Sequence, residues 1–236
     1  MQKPYINKVD TLEDFTVWIV DGEYIRNNID REFTNFGQHF RFPFIPKHEF
    51  WIDRHKSAEE QMFFIEHLQV EWHYMSLGET YDVAIGKADK REQALRNRSN
   101  IMVKIKTEES KHPTEVPKII YKNKLEEFSG GVAIWIVNGE AVRDAYFIDY
   151  TEGGHHFVYH FVPKMEVWID NDLIAEERGF VVLHELHERN LMANGMNYDR
   201  AHASSSAIEY ICRRDPSKLA QYIKTEIDKN VVRITT

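Results

Sequence analysis

VWIVDGEYIR (17–26) returns as IWIVNGEAVR (134–143), IPKHEFWID (45–53) as VPKMEVWID (162–170), and AEEQMFFIEH (58–67) as AEERGFVVLH (175–184). Each pair is offset by 117 positions, and aligning 15–96 with 132–213 without a gap gives 30 identities in 82 positions. A likeness of that length does not come from composition. The period is too long for a solenoid repeat and matches a small whole domain. The chain therefore reads as a tandem duplication. A first repeat covers 5–97, a linker or edge strand 98–120, a second repeat 121–214, and a C-terminal helix and strand 215–236.

Within each repeat a hydrophobic period of two gives way to one of 3.6. Asp21-Gly22 and Asn138-Gly139 are hairpin-turn dipeptides set among alternating apolar residues. HFRFPFI (39–45) with EFWID (49–53), and HFVYHFV (156–162) with EVWID (166–170), read as second hairpins. A helix follows, with Asp170, Asn171 and Asp172 as candidate N-caps and Asn194-Gly195 as its stop; Asn197 then caps a helix over 198–213. The expected class is α+β, each repeat an antiparallel sheet of hairpins followed by two helices that cover one face. Between the repeats, Ile101 to Ile105 is strand-like and Pro113 and Pro117 mark a linker. Asp215-Pro216-Ser217 starts a last helix, and VVRIT (231–235) reads as a closing strand.

Composition bounds the function. With 236 residues, 42% apolar and 29% charged, the chain is long and apolar enough for two cores rather than disorder. Its formal charge of −8 gives no general attraction for nucleic acid or an anionic membrane. The longest apolar run, Val132 to Val137, is too short to span a bilayer, and MQKPYINKVD lacks the apolar stretch of a signal peptide. The single Cys212 excludes an internal disulfide and fits a reducing compartment. The expectation is a soluble, cytoplasmic protein.

The chemistry concentrates in LHELHERNLMANGMNYDRAH (183–202). On a helix His184, His187 and Glu188 share a face, Glu185 lies one step around, and a turn at Gly195 brings His202 back on the next helix. Glu209, two turns beyond His202, can orient a ligand histidine. In the first repeat His184 and Glu188 align with His67 and Glu71, but Glu185, His187 and His202 align with Leu68, Val70 and Ile85. Apolar positions exchanged for polar ones need a reason, because unpaired buried polar groups are costly. The first repeat is accordingly expected to be degenerate, without an active site.

This segment resembles the zincin-type metallopeptidase helix, in which H-E-x-x-H offers two metal ligands and an intervening glutamate base. The resemblance covers about twenty residues. It implies zinc held by His184, Glu188 and His202, with Glu185 as the catalytic base and His187 as a competing ligand. Position 188 departs from the motif in being Glu rather than His; a carboxylate also binds zinc. The resulting expectation is a zinc-dependent, peptidase-like hydrolase acting on a peptide or protein substrate. The alternative is a non-enzymatic binding or assembly module, such as a viral or accessory protein, enlarged by duplication. A metal-dependent nuclease is disfavoured by the charge.

Other features have plainer readings. Arg26 and Arg143 are placed to pair with carboxylates across the sheet. His155, aligned with Gln38, is a secondary site candidate, and His156, aligned with His39, is structural. KADKREQALRNR (87–98) reads as a solvated helix face. Ser204 to Ser206 lie within a helix with no nucleophile pattern. Cys212, beside Arg213 and Arg214, is either a lowered-pKa thiol or a small packed residue.

Overall fold

The computed structural model describes residues 3–12, 14–111, 115–128 and 130–234, with side chains described up to Asn230. Pro113 and the last two residues lie outside the described residues. The chain divides into two compact units, Met1–Val103 and Lys104–Thr236.

The first unit contains β1 (Tyr5–Leu12), β2 (Phe15–Val20), α1 (Gly22–Asn28), β3 (Phe36–Gly37), β4 (Glu49–Asp53), α2 (Ala58–Ser76) and α3 (Tyr81–Arg96). α4 (Asn100–Glu109) spans the boundary. The second unit repeats the order as β5 (Tyr121–Lys124), β6 (Ala133–Val137), α5 (Gly139–Ala145), β7 (Gly153–His155), β8 (Glu166–Asp170), α6 (Ala175–Ala193) and α7 (Tyr198–Arg214). It then adds α8 (Leu219–Ile234). The fold is α+β: two four-stranded sheets, ordered β1-β2-β4-β3 and β5-β6-β8-β7, each followed by helices. No helix among the described residues is long and apolar enough to cross a membrane.

The sheets are mixed, not wholly antiparallel. β2 pairs β4 and β6 pairs β8 in parallel, setting Trp18 against Trp51 and Trp135 against Trp168. The outer strands pair antiparallel. The difference begins at the two expected hairpin turns. Asp21 and Asn138 accept from the backbone N–H groups of Tyr24 and Ala141, so each caps a helix and the chain crosses over instead of doubling back. The glycine that follows is needed for close approach: a Cβ on Gly22 or Gly139 would collide with the carboxylate of Asp53 or Asp170. That carboxylate pairs with the arginine of the crossover helix, Arg26 to Asp53 at 2.9 Å and Arg143 to Asp170 at 2.8 Å. These are the ion pairs the sequence led us to expect.

Four further expectations change. Residues 39–45 and 156–162 form turns, and the strand pairing with EFWID or EVWID is the short β3 or β7 just before them. Pro43 interrupts the first of these stretches, and its Phe42 and Ile45 bury in the core on the α1 side of the sheet. Ile101 to Ile105 lies in helix α4, and residues 231–234 continue α8 rather than forming a strand. α6 is preceded by Ile174 without a side-chain cap, because Ile174 stands where Ser57 caps α2 in the first unit.

The sheet face toward α2 buries Val17, Ile19, Phe50, Ile52, Phe64 and Leu68. The corresponding face in the second unit packs Ile134, Ile136, Val167 and Ile169 against Val181 to Leu183, Leu186, Cys212 and Ile223. α6 thereby lies against its sheet with the polar edge of the helix turned toward α7 and β7.

Candidate metal centre

α6 and α7 are joined by a four-residue turn. Gly195 takes φ +87°, a left-handed conformation suited to glycine, and the Asn197 side chain accepts from Arg200 N at 3.2 Å to start α7. The reversal carries His202 back beside the C-terminal half of α6. His202 Nδ1 lies 2.9 Å from Glu188 Oε2 and 3.2 Å from His184 Nε2, and the last two atoms are 3.7 Å apart. Tetrahedral zinc with bonds of about 2.0–2.1 Å holds its ligand atoms about 3.3–3.4 Å apart. The three separations bracket that value, so the donor set fits a cation of this size.

The remaining contacts suit the same role. His184 Nδ1 is 2.8 Å from Glu209 Oε2, the carboxylate–histidine arrangement that fixes a ligand's tautomer. Arg213 then ties Glu209 at 2.8 Å to Glu177, also at 2.8 Å. His202 is the open side, with 40% of its side chain exposed, and Tyr198 stacks on it at 5.3 Å.

The first unit carries the same scaffold without these extra donors. His67 Nδ1 is 2.8 Å from Glu92, His67 Nε2 is 3.2 Å from Glu71, and Arg96 joins Glu92 to Glu60. The His–Glu–Arg–Glu network is therefore a feature of the fold, and what distinguishes the second unit is added to it. Ile85 becomes His202, Leu68 becomes Glu185 and Gln38 becomes His155. Phe36, whose ring lies 5.1 Å from that of His67, becomes Gly153, and Phe64 becomes Val181. Two phenyl rings are thus replaced by a glycine and a valine beside the added polar groups. The edge-to-face pair Phe33–Phe42 becomes Tyr150–Tyr159 with ring centres 5.6 Å apart.

The electrostatics follow from crowding three carboxylates around one imidazole. Burial alone pushes His184 down, but its contacts with the Glu188 and Glu209 carboxylates outweigh this and hold it up at about 10. Burial and the nearby Glu188 raise Glu185, whereas Glu188 itself is held well below the usual carboxylate range: contacts with His155, His184 and His202 overcome its burial. In the cation-free chain the proton on His184 Nε2 faces both His202 Nδ1 and Glu188 Oε2. A cation displacing that proton would face all three donor atoms.

Of the residues singled out in the sequence, His184, Glu188 and His202 come together, and Glu209 orients His184. Glu185 lies beside them: its carboxylate, a nitrogen of His155 and a carboxylate oxygen of Glu188 fall within 4.8 Å of one another. His187 does not compete as a ligand. It points to the other side of α6, with Nδ1 2.9 Å from Glu226 and Nε2 3.0 Å from Ser204. Ser204 sits mid-helix, where flanking backbone N–H groups are consumed by the helix and cannot serve acyl transfer, so this contact is a tie between α6, α7 and α8. The Cys212 thiol is raised by burial, which makes it a packed residue rather than an activated one. The 87–98 stretch is not wholly solvated, since Glu92 and Arg96 are buried. Arg213 and the two tyrosines were not singled out. Self-alignment offers the signal: Arg96 and Glu60 recur, and both phenylalanines turn into tyrosines.

Comparison with protein-family models, with curated proteins and with solved structures returned no match for this chain.

Proposed function

We propose that the second unit is a zinc-dependent hydrolase that cleaves an amide or ester bond in a peptide-like substrate, with His184, Glu188 and His202 holding the metal. The observation that carries this reading is the convergence of three donor atoms on a scaffold whose first-repeat copy lacks His202 and Glu185. Two imidazoles and one carboxylate are a donor set characteristic of catalytic zinc. Zinc in such a site supplies Lewis acidity, polarising a carbonyl and acidifying a water.

The chain's own residues do the rest. Glu185, buried beside the donors, accepts the proton of the attacking water and passes it to the leaving group. Glu209 holds His184 with Nε2 turned toward the other donors. Tyr198, stacked on the exposed His202, forms one wall of the approach for substrate.

Glu185→Gln tests the reading. It is expected to leave zinc uptake at His184, Glu188 and His202 unchanged and to reduce turnover of a mixed peptide library by about 10²-fold or more, the usual scale of general-base catalysis. Undiminished turnover removes Glu185 as the base. A chain that never takes up zinc supports the non-enzymatic module, in which the His184 network is only a buttress, as His67 is.

A further inference from the structure

We infer that the second unit has a second, inner divalent-cation position, formed by His155, Glu185 and the Oε1 of Glu188, so that Glu188 bridges two ions. The inference rests on the proposed outer site; Glu185 serves as the base while the outer ion alone is bound and becomes a ligand when the inner position fills.

Three observations carry it. The two oxygens of Glu188 face different partners: Oε2 faces His202 and His184, and Oε1 faces His155 Nε2 at 3.2 Å. His155 is fully buried, and its Nε2 contacts that oxygen without a well-aligned hydrogen bond. The hydroxyl of Tyr150, also fully buried and without a partner, lies within electrostatic reach of Glu185. Buried polar atoms are ordinarily satisfied, so the unpartnered Tyr150 hydroxyl and the poorly aligned His155 Nε2 beside a buried carboxyl point to a place that takes a further group.

The first unit shows the closed form of the same place. There Gln38 donates to Glu71 Oε1 at 2.5 Å, and Leu68 and Phe36 occupy the positions of Glu185 and Gly153. The exchange in the second unit is concerted. Gly153 lies so close to Glu185 that an added Cβ would sit 3.0 Å from its Cγ and 3.1 Å from its Oε1. A bulky residue was removed where a carboxylate was added. Carboxylate-bridged pairs of cations about 3.5–4 Å apart are a recurring hydrolytic arrangement.

One contact has to give. The Phe157 amide donates to His155 Nδ1 at 3.3 Å, so in the cation-free chain the ring proton sits on Nε2. Ligation through Nε2 moves that proton to Nδ1 and breaks this long hydrogen bond.

The test is zinc stoichiometry of the full chain, measured by equilibrium dialysis with elemental analysis. The comparison variants are His155→Gln with Glu185→Leu, which restores the first-repeat residues, and His202→Ile. Two equivalents in the wild type, falling to one in the double variant, support the inference. A shift of the Phe157 amide resonance confined to uptake of the second equivalent supports it independently. One equivalent in the wild type, kept by the double variant and lost in His202→Ile, overturns the inner site and leaves the proposed function intact. Two equivalents retained by the double variant overturn it as well. No uptake by any form overturns both.

Discussion

His67 Nδ1 lies 2.8 Å from Glu92 Oε2, the same separation that His184 Nδ1 keeps from Glu209 Oε2 in the second unit. In the first unit both ring nitrogens of this buried histidine face carboxylates. Burial pushes the imidazole down, but hydrogen bonds to Glu71 and Glu92 prevail and raise it to about 9 from the ordinary 6.5. A histidine raised in the folded state contributes stability that is fully present below its unfolded pKa and is lost as pH climbs through the folded one. Urea unfolding of the full chain should therefore show stability falling between about pH 6.5 and 9, and His67→Gln should flatten this part of the profile. An unchanged slope in His67→Gln would show that His67 is not the titrating group.

Arg96 is fully buried and joins Glu60 to Glu92, as Arg213 joins Glu177 to Glu209. Removing one partner from a buried ionic network leaves an uncompensated charge and costs about 3–5 kcal/mol. Arg96→Leu should lose stability on that scale. Arg213→Leu should lose less, because its side chain keeps 14% of its exposure. Equal and small losses, read from urea midpoints, would contradict the role given to both arginines.

Gly153→Ala introduces a methyl against Glu185 and Val181 Cγ1, each about 3 Å away. Overpacking of this kind costs about 1–3 kcal/mol. The expected outcome is retained binding at His184, Glu188 and His202 with impaired hydrolysis, because the displaced group is the base and not one of those donors. Full activity in a stably folded Gly153→Ala protein would place Glu185 outside the reaction.

Ile85→His should confer zinc binding on the first unit, since His67 and Glu71 already stand in the required relation at 3.2 Å. One additional equivalent by dialysis is expected. No gain would show that the α2–α3 scaffold needs more than a third donor.

The duplication and the α6–turn–α7 hairpin were legible in the sequence because both rest on local rules. Identities recur at a fixed offset, i,i+4 spacing puts His184 and Glu188 on one face, and Gly195 with Asn197 forces a short reversal that returns His202. The sheet order was not legible. Asp21-Gly22 satisfies a hairpin turn and a helix N-cap equally well, and only the buried Arg26–Asp53 pair, 27 residues apart in sequence, selects the crossover. The fate of His187 was hidden for a similar reason: its partner Glu226 lies on α8, beyond the repeat. His155 stood out only as a change from Gln38, because its meaning depends on β7 pairing beside β8.

If His202 completes a cation site begun by His184 and Glu188, zinc uptake must differ between the wild type and His202→Ile. A chelator competition on the two full-length proteins should show tight zinc in the wild type and at least about a 100-fold weaker outer equivalent in the variant, which keeps the residue of the first repeat. Equal affinity in the two proteins, or none in either, would show that His202 is not a zinc ligand.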